Sequence, residues 1–165
     1  MKIFSRQYFD ELLISADRSY RLRAHTNLHH SHDDPCQKLF NAVKTDSYIR
    51  PHRHSLDPKK EFLLAVTGLF SLITFSDAGK IDLIILFGSE RYSQNSSIAL
   101  GLELPASVWH TVVSLTDGSI LLEVKKGPFD PNNAKEMAPW APKEDSDESL
   151  SYLNDLKSQV LRLVK

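Results

Sequence analysis

Near the start of the chain, apolar residues recur at three- and four-residue spacing: Tyr8/Phe9, Leu12/Leu13 and Ala16. With Ser5 able to cap it, this stretch predicts a helix over residues 5–17. The period then drops to two. Across 21–29, Arg21, Arg23, His25, Asn27 and His29 alternate with Leu22, Ala24, Thr26 and Leu28, which predicts a strand with one unusually polar face. Short strand-like runs follow at 37–40, 47–51, 61–66, 70–76, 81–87, 98–104, 110–114 and 120–125. Asp77-Ala78-Gly79-Lys80 and Thr116-Asp117-Gly118-Ser119 have the chemistry of hairpin turns. Strands this short, broken this often, predict an all-β sandwich or barrel.

After Gly127 the pattern breaks. Four prolines between 128 and 142 predict an irregular, extended segment. An acidic stretch, 144–148, leads into a helix expected at about 148–164, with acids at its start and Lys157, Arg162 and Lys165 toward its end. Leu153, Leu156, Val160 and Leu163 form one apolar seam, which suits packing against the outside of the barrel; a dimer contact is the alternative. The expected organisation is a barrel with its N-terminal helix over 1–143 and an acidic segment and helix over 144–165 as an extension of that unit.

Composition narrows the function classes. Twenty basic against twenty-one acidic residues give no net field to attract nucleic acid or an anionic membrane. Cys36 is the sole cysteine, so no intramolecular disulfide is expected, as suits a reducing compartment. No apolar run approaches the length of a membrane span, and the opening residues lack a signal peptide's apolar run and cleavage site. A cytoplasmic protein is the expectation.

The candidate chemistry lies in Arg50-Pro51-His52-Arg53-His54, then Glu61, and far along the chain Pro105-Ala106-Ser107-Val108-Trp109-His110. Histidines two apart on a strand point the same way, so both rings can reach one ion. Three histidines and a carboxylate suit one divalent transition metal, Fe, Mn, Ni, Zn or Cu. A single such histidine would ordinarily be a surface or core residue; three with Glu61 reverse that reading.

His-x-His, then Glu61 and Gly68, then Pro-x-Ser-x-x-His resembles the two motifs of the cupin superfamily. The His54-to-Glu61 gap is longer than usual, Ser107 stands where glycine is common, and Ser114 where asparagine is common. Arg-x-Arg-x-His-x-Asn-Leu-His at 21–29, Asp-Ser-Tyr-Ile-Arg-Pro-His-Arg-His at 46–54, Trp109-His110-Thr111, Lys126-Gly127-Pro128 and Trp140-Ala141-Pro142 are similar to the WbuC family of cupin-fold metalloproteins. That resemblance covers about residues 10–142. It implies a jelly-roll β-barrel, a metal held by His52, His54, Glu61 and His110, and a link to O-antigen and surface-polysaccharide gene clusters. Pairing through edge strands, hence a homodimer, is also implied.

The polar face of 21–29 is expected to line the barrel cavity rather than face solvent, because arginines and histidines gathered on one side suit an anionic or sugar-like small ligand. Arg21, Arg23, Asn27, His29 and Arg50 are the candidate substrate-binding residues. His25 and Tyr48 are the candidate proton shuttles. The expected function is a metal-dependent enzyme acting on a small polar metabolite such as a sugar or sugar-nucleotide. The rivals are a non-catalytic metal-dependent carbohydrate-binding module and an iron(II) dioxygenase. Glu123, an acid within an apolar strand, is expected to be paired, exposed or functional.

Overall fold

The Ser5 hydroxyl accepts a hydrogen bond from the Tyr8 amide at 3.3 Å, and the capped helix α1 runs Arg6–Arg18. In chain order the strands are β1 (Arg23–Asn27), β2 (Cys36–Val43), β3 (His52–Arg53), β4 (Glu61–Thr67), β5 (Leu69–Phe75), β6 (Ile81–Gly88), β7 (Gly101–Leu104), β8 (Trp109–Ser114), β9 (Ser119–Lys126) and β10 (Glu136–Met137). Helix α2 (Ser149–Leu163) follows. This computed structural model describes residues 1–163; the expected helix position 164, Lys165 and the Leu163 side chain lie outside the described residues.

Two five-stranded sheets face each other, ordered β1-β2-β9-β4-β7 and β10-β3-β8-β5-β6, with every ladder antiparallel. This is an all-β jelly-roll barrel with a helix at each end of the chain. No described helix is long and apolar enough to cross a membrane.

Strand alternation sorts side chains into three cores. On the outer face of the first sheet, Phe40, Ala42 and Ile120 pack beneath Leu12 and Ala16 of α1. On the outer face of the second, Ile73, Trp109 and Val113 pack beneath Leu153, Leu156 and Val160 of α2. Between the sheets, Val43, Leu63, Phe70, Leu72, Phe87 and Val112 are buried together. Fully burying each large apolar side chain contributes about 1.5–3 kcal/mol.

The interior is apolar at one end only. Along β4 the inward positions run Ala65, Leu63, Glu61; along β9, Leu121, Glu123, Lys125; along β8, Val112, His110. Cross-strand register sets Glu61 opposite Lys125, and His52 opposite His110. The polar ends of these strands therefore meet at one mouth of the barrel.

Three expectations change. Residues 47–51 form no strand: the Ser47 amide donates back to Lys44 O at 3.0 Å as a turn, Pro51 has no amide proton to give a ladder, and pairing starts only at β3. The run at 98–104 pairs as β7 only from Gly101. The irregular 128–142 segment contains β10, where Met137 pairs with His52.

Candidate metal centre and its cavity

His52 lies on β3, His54 one residue beyond it, and His110 on β8. All three are buried, and their ligand nitrogens lie within 4.8 Å of one another. Each ring is held the same way. His52 Nδ1 lies 3.0 Å from Arg50 O, His110 Nδ1 2.8 Å from Val108 O, and His54 Nδ1 contacts Ala134 O. A carbonyl only accepts, so each Nδ1 carries a proton, and it is Nε2 whose lone pair, in the neutral ring, is available to the common centre.

Glu61 enters from the opposite sheet. Its Oε1 is 3.0 Å from His54 Nε2, and its Oε2 is 3.3 Å from His110 Nε2. The extra residues between His54 and Glu61 are taken up by a loop fastened outside the barrel, where Lys59 bonds Pro128 O and pairs with Asp57. The long gap therefore does not displace the carboxylate. His54 Nε2 is nonetheless buried without a hydrogen-bond partner. Two acceptors 3.0 Å apart in a buried site repel unless a cation or proton stands between them. The residues fit a divalent ion: three imidazole nitrogens gathered within 4.8 Å of one another, with the Glu61 carboxylate beside two of them.

Electrostatics agree. Burial pushes the His52 pKa well below its ordinary value, with the charge of Lys135 and His110 adding to it; a neutral ring is the ligating form. Burial alone would raise Glu61, but contacts with His110 and His54 and the charge of Lys125 outweigh it and hold the carboxyl well below its usual range. Lys125 Nζ bridges Glu61, at 3.1 Å, and Glu123, at 2.7 Å. Glu123 is thus paired within the barrel.

A cavity of about 260 Å³ adjoins this centre through Lys125, which lines it and contacts Glu61; the three histidines and Glu61 are not among its lining residues. Arg21, Arg23, His25, Asn27 and His29 all line it, facing Glu123, Lys125 and Lys135. Two of these residues have partners within the chain. Arg23 donates to Tyr48 O at 2.8 Å and pairs with Glu144 at 2.5 Å. His29 Nδ1 accepts the Lys38 amide at 3.0 Å.

Tyr48 and Arg50 are not brought to the cavity. The Tyr48 hydroxyl donates to Pro142 O at 3.0 Å, its ring packs edge-on to Tyr152, and burial pushes the phenol pKa up. Arg50 donates to Ala138 O at 2.6 Å. In a strand, both would share the parity of His52 and His54 and point inward with them, but 47–51 is not a strand and parity does not apply. Conversely, Lys135 was missed. It lies in the proline-rich segment where no period marks a face, and it is brought to the cavity by Ala134 and Glu136 on either side of it: Ala134 O accepts from His54, and Glu136 pairs with Arg53.

Solved structures share the architecture. Protein SO0799 from Shewanella oneidensis is 11% identical with a TM-score of 0.53, over 84% of this chain and 83% of that one. A mutant of the Bacillus subtilis oxalate decarboxylase is 14% identical with a TM-score of 0.50, over 70% of this chain and 27% of that one. Recombinant oxalate oxidase in complex with glycolate is 10% identical with a TM-score of 0.53, over 74% of this chain and 58% of that one. The chain thus spans about a quarter of the decarboxylase and over half of the oxidase. At these identities the likeness establishes the fold, the cupin jelly roll. No curated protein matches the sequence. Half of the chain, residues 4–86, matches one family, and the chain belongs to it: the family described as Domain of unknown function (DUF6016).

Proposed function

We propose that the chain is a metal-dependent enzyme of the WbuC type, acting on a small polar metabolite, a sugar or sugar-nucleotide of surface-polysaccharide metabolism. The observation that carries the metal is the common placement of His52, His54 and His110, each with Nδ1 against a backbone carbonyl and its ring turned to one centre. His52, His54 and His110 would hold one divalent ion, with Glu61 as the carboxylate ligand. That ion supplies Lewis-acid stabilisation of an oxygen on the substrate. Arg21 at the rim orients an anionic group, and Asn27 donates or accepts beside it. His25, exposed on the cavity wall, is the group placed to carry a proton.

The test pairs metal analysis with turnover. Purified wild type is expected to retain one ion per chain, and His52→Ala/His54→Ala none. Metal-loaded protein is then incubated with a panel of sugar nucleotides and followed by NMR. No change in any member would remove the case for an enzyme.

A non-catalytic carbohydrate-binding module is favoured by one observation. Arg23, Lys125 and His29 are already engaged within the chain, which suits holding a ligand more than moving its protons. Tight metal-dependent binding without turnover would select it.

A further inference from the structure

Four cations line the cavity: Arg21, Arg23, Lys125 and Lys135. Two are already neutralised, Arg23 by Glu144 and Lys125 by Glu61 and Glu123. Among the described residues neither Arg21 nor Lys135 has a carboxylate partner or a side-chain hydrogen bond within the chain.

Lys135 is the more telling. The residue as a whole is exposed, yet its ammonium lies close enough to Glu123, Lys125, Glu61 and Arg23 to feel each of them. Loss of water around it lowers its pKa, and the charges of Lys125 and Arg23 push the same way against Glu123 and Glu61. It also acts electrostatically on His52. Its position is fixed on both sides, by the Ala134 contact with His54 and by the bidentate Glu136–Arg53 pair at 2.8 and 3.0 Å. Glu123 and Glu61 act on this ammonium only from beyond ion-pair distance and are themselves engaged by Lys125, so the cavity leaves Lys135 a place for an anionic group of a ligand.

We propose that Lys135 is an oxyanion-binding subsite: the ligand carries a carboxylate or phosphoryl group that Lys135 holds, with Arg21 at the rim, while its other oxygens face His52, His54 and His110. This rests on the metal-dependent reading above and narrows its substrate to an oxyanion-bearing metabolite. The subsite is a positioning device: it holds a charged handle of the ligand and takes no part at the reacting atoms.

The experiment uses full-length protein loaded with manganese, with inorganic phosphate and malonate titrated separately by calorimetry. Wild type is expected to bind at least one of the two, and the stronger identifies the group as phosphoryl or carboxylate. Lys135→Met should weaken that binding tenfold or more, and Lys135→Arg should restore most of it, with metal content by elemental analysis unchanged in both. Should Lys135→Met lose metal as well, the comparison is made between metal-free proteins, where the same tenfold loss supports the subsite. Equal affinity in Lys135→Met and wild type, or no binding of either anion by wild type, overturns it. Wild type that retains no metal, by contrast, overturns the metal-dependent reading and leaves the anion comparison to be read on its own.

Discussion

Three backbone carbonyls, of Arg50, Val108 and Ala134, decide the chemistry at the residue scale, because each removes one Nδ1 proton from contention. Hydrogen bonds of this kind orient ligating imidazoles and are ordinarily worth about 10–100-fold in metal affinity. Removing a ligand outright should cost more. His110→Ala is expected to lower metal affinity by over about 100-fold while leaving the far-ultraviolet circular dichroism of the barrel intact, since the buried core between the sheets lies toward the other end of the strands. Full metal content in this variant would remove His110 from the site. Glu61→Gln keeps the shape and removes the charge; Lys125 retains Glu123 at 2.7 Å, so folding should survive. Metal affinity should fall at least tenfold, and equal affinity would mean the carboxylate serves Lys125 alone. The three histidines were legible in sequence because His-x-His is joined by Glu61 and by the distant Pro-x-Ser-x-x-His, a combination that is specific where His-x-His alone is weak. Lys135 was not, because its placement comes from a long-range hydrogen bond between Ala134 and His54, 80 residues apart.

At the scale of elements, short strand-like runs predicted most of the strands, though not β10, and alternation across 21–29 predicted the side that faces inward. The 21–29 stretch illustrates this: its odd positions line the cavity while Ala24 and Leu28 pack under α1. It failed at Tyr48 and Arg50, where a turn and a proline replace the ladder, and side-chain direction there follows local hydrogen bonds. The α2 seam was legible from its spacing, whereas its partner surface required the second sheet to exist. Leu156 is 3% exposed in that contact, so Leu156→Ala should destabilise by about 2–5 kcal/mol, read from the urea midpoint at constant slope. A change below about 0.5 kcal/mol, the level of an ordinary surface substitution, would mean the helix contributes little to the barrel. The β4–β5 turn is similarly constrained. Gly68 has φ +81°, and an added Cβ would meet Ser119 Oγ at 2.1 Å. Gly68→Ala therefore suffers both strain and collision, and should cost more than about 1 kcal/mol.

Across the whole molecule, stability and metal retention are tied to pH through the same groups. His52 and Glu61 both have pKa values well below their ordinary ones in the fold. Each therefore binds fewer protons folded than unfolded, so the stability of the metal-free protein rises with pH. For His52 the stability is fully present above about pH 6.5, the unfolded value, and is lost as pH falls through the range below it. For Glu61 the corresponding loss begins near its ordinary value of 4.5. Each proton taken up costs at most about 1.4 kcal/mol per pH unit. The melting temperature of metal-free protein should accordingly be flat between about pH 7 and 8 and decline from about pH 6.5 to 5, before the carboxyl begins to titrate. His52→Gln, which has no proton to gain there, should decline less steeply. In the loaded protein the proton and the ion compete for the same Nε2 lone pairs, so dialysis at about pH 5 should strip an ion that dialysis at about pH 7.5 leaves in place. Identical melting slopes in His52→Gln and wild type, together with metal retained after the acid dialysis, would show that the buried imidazoles neither control the acid response nor hold the ion.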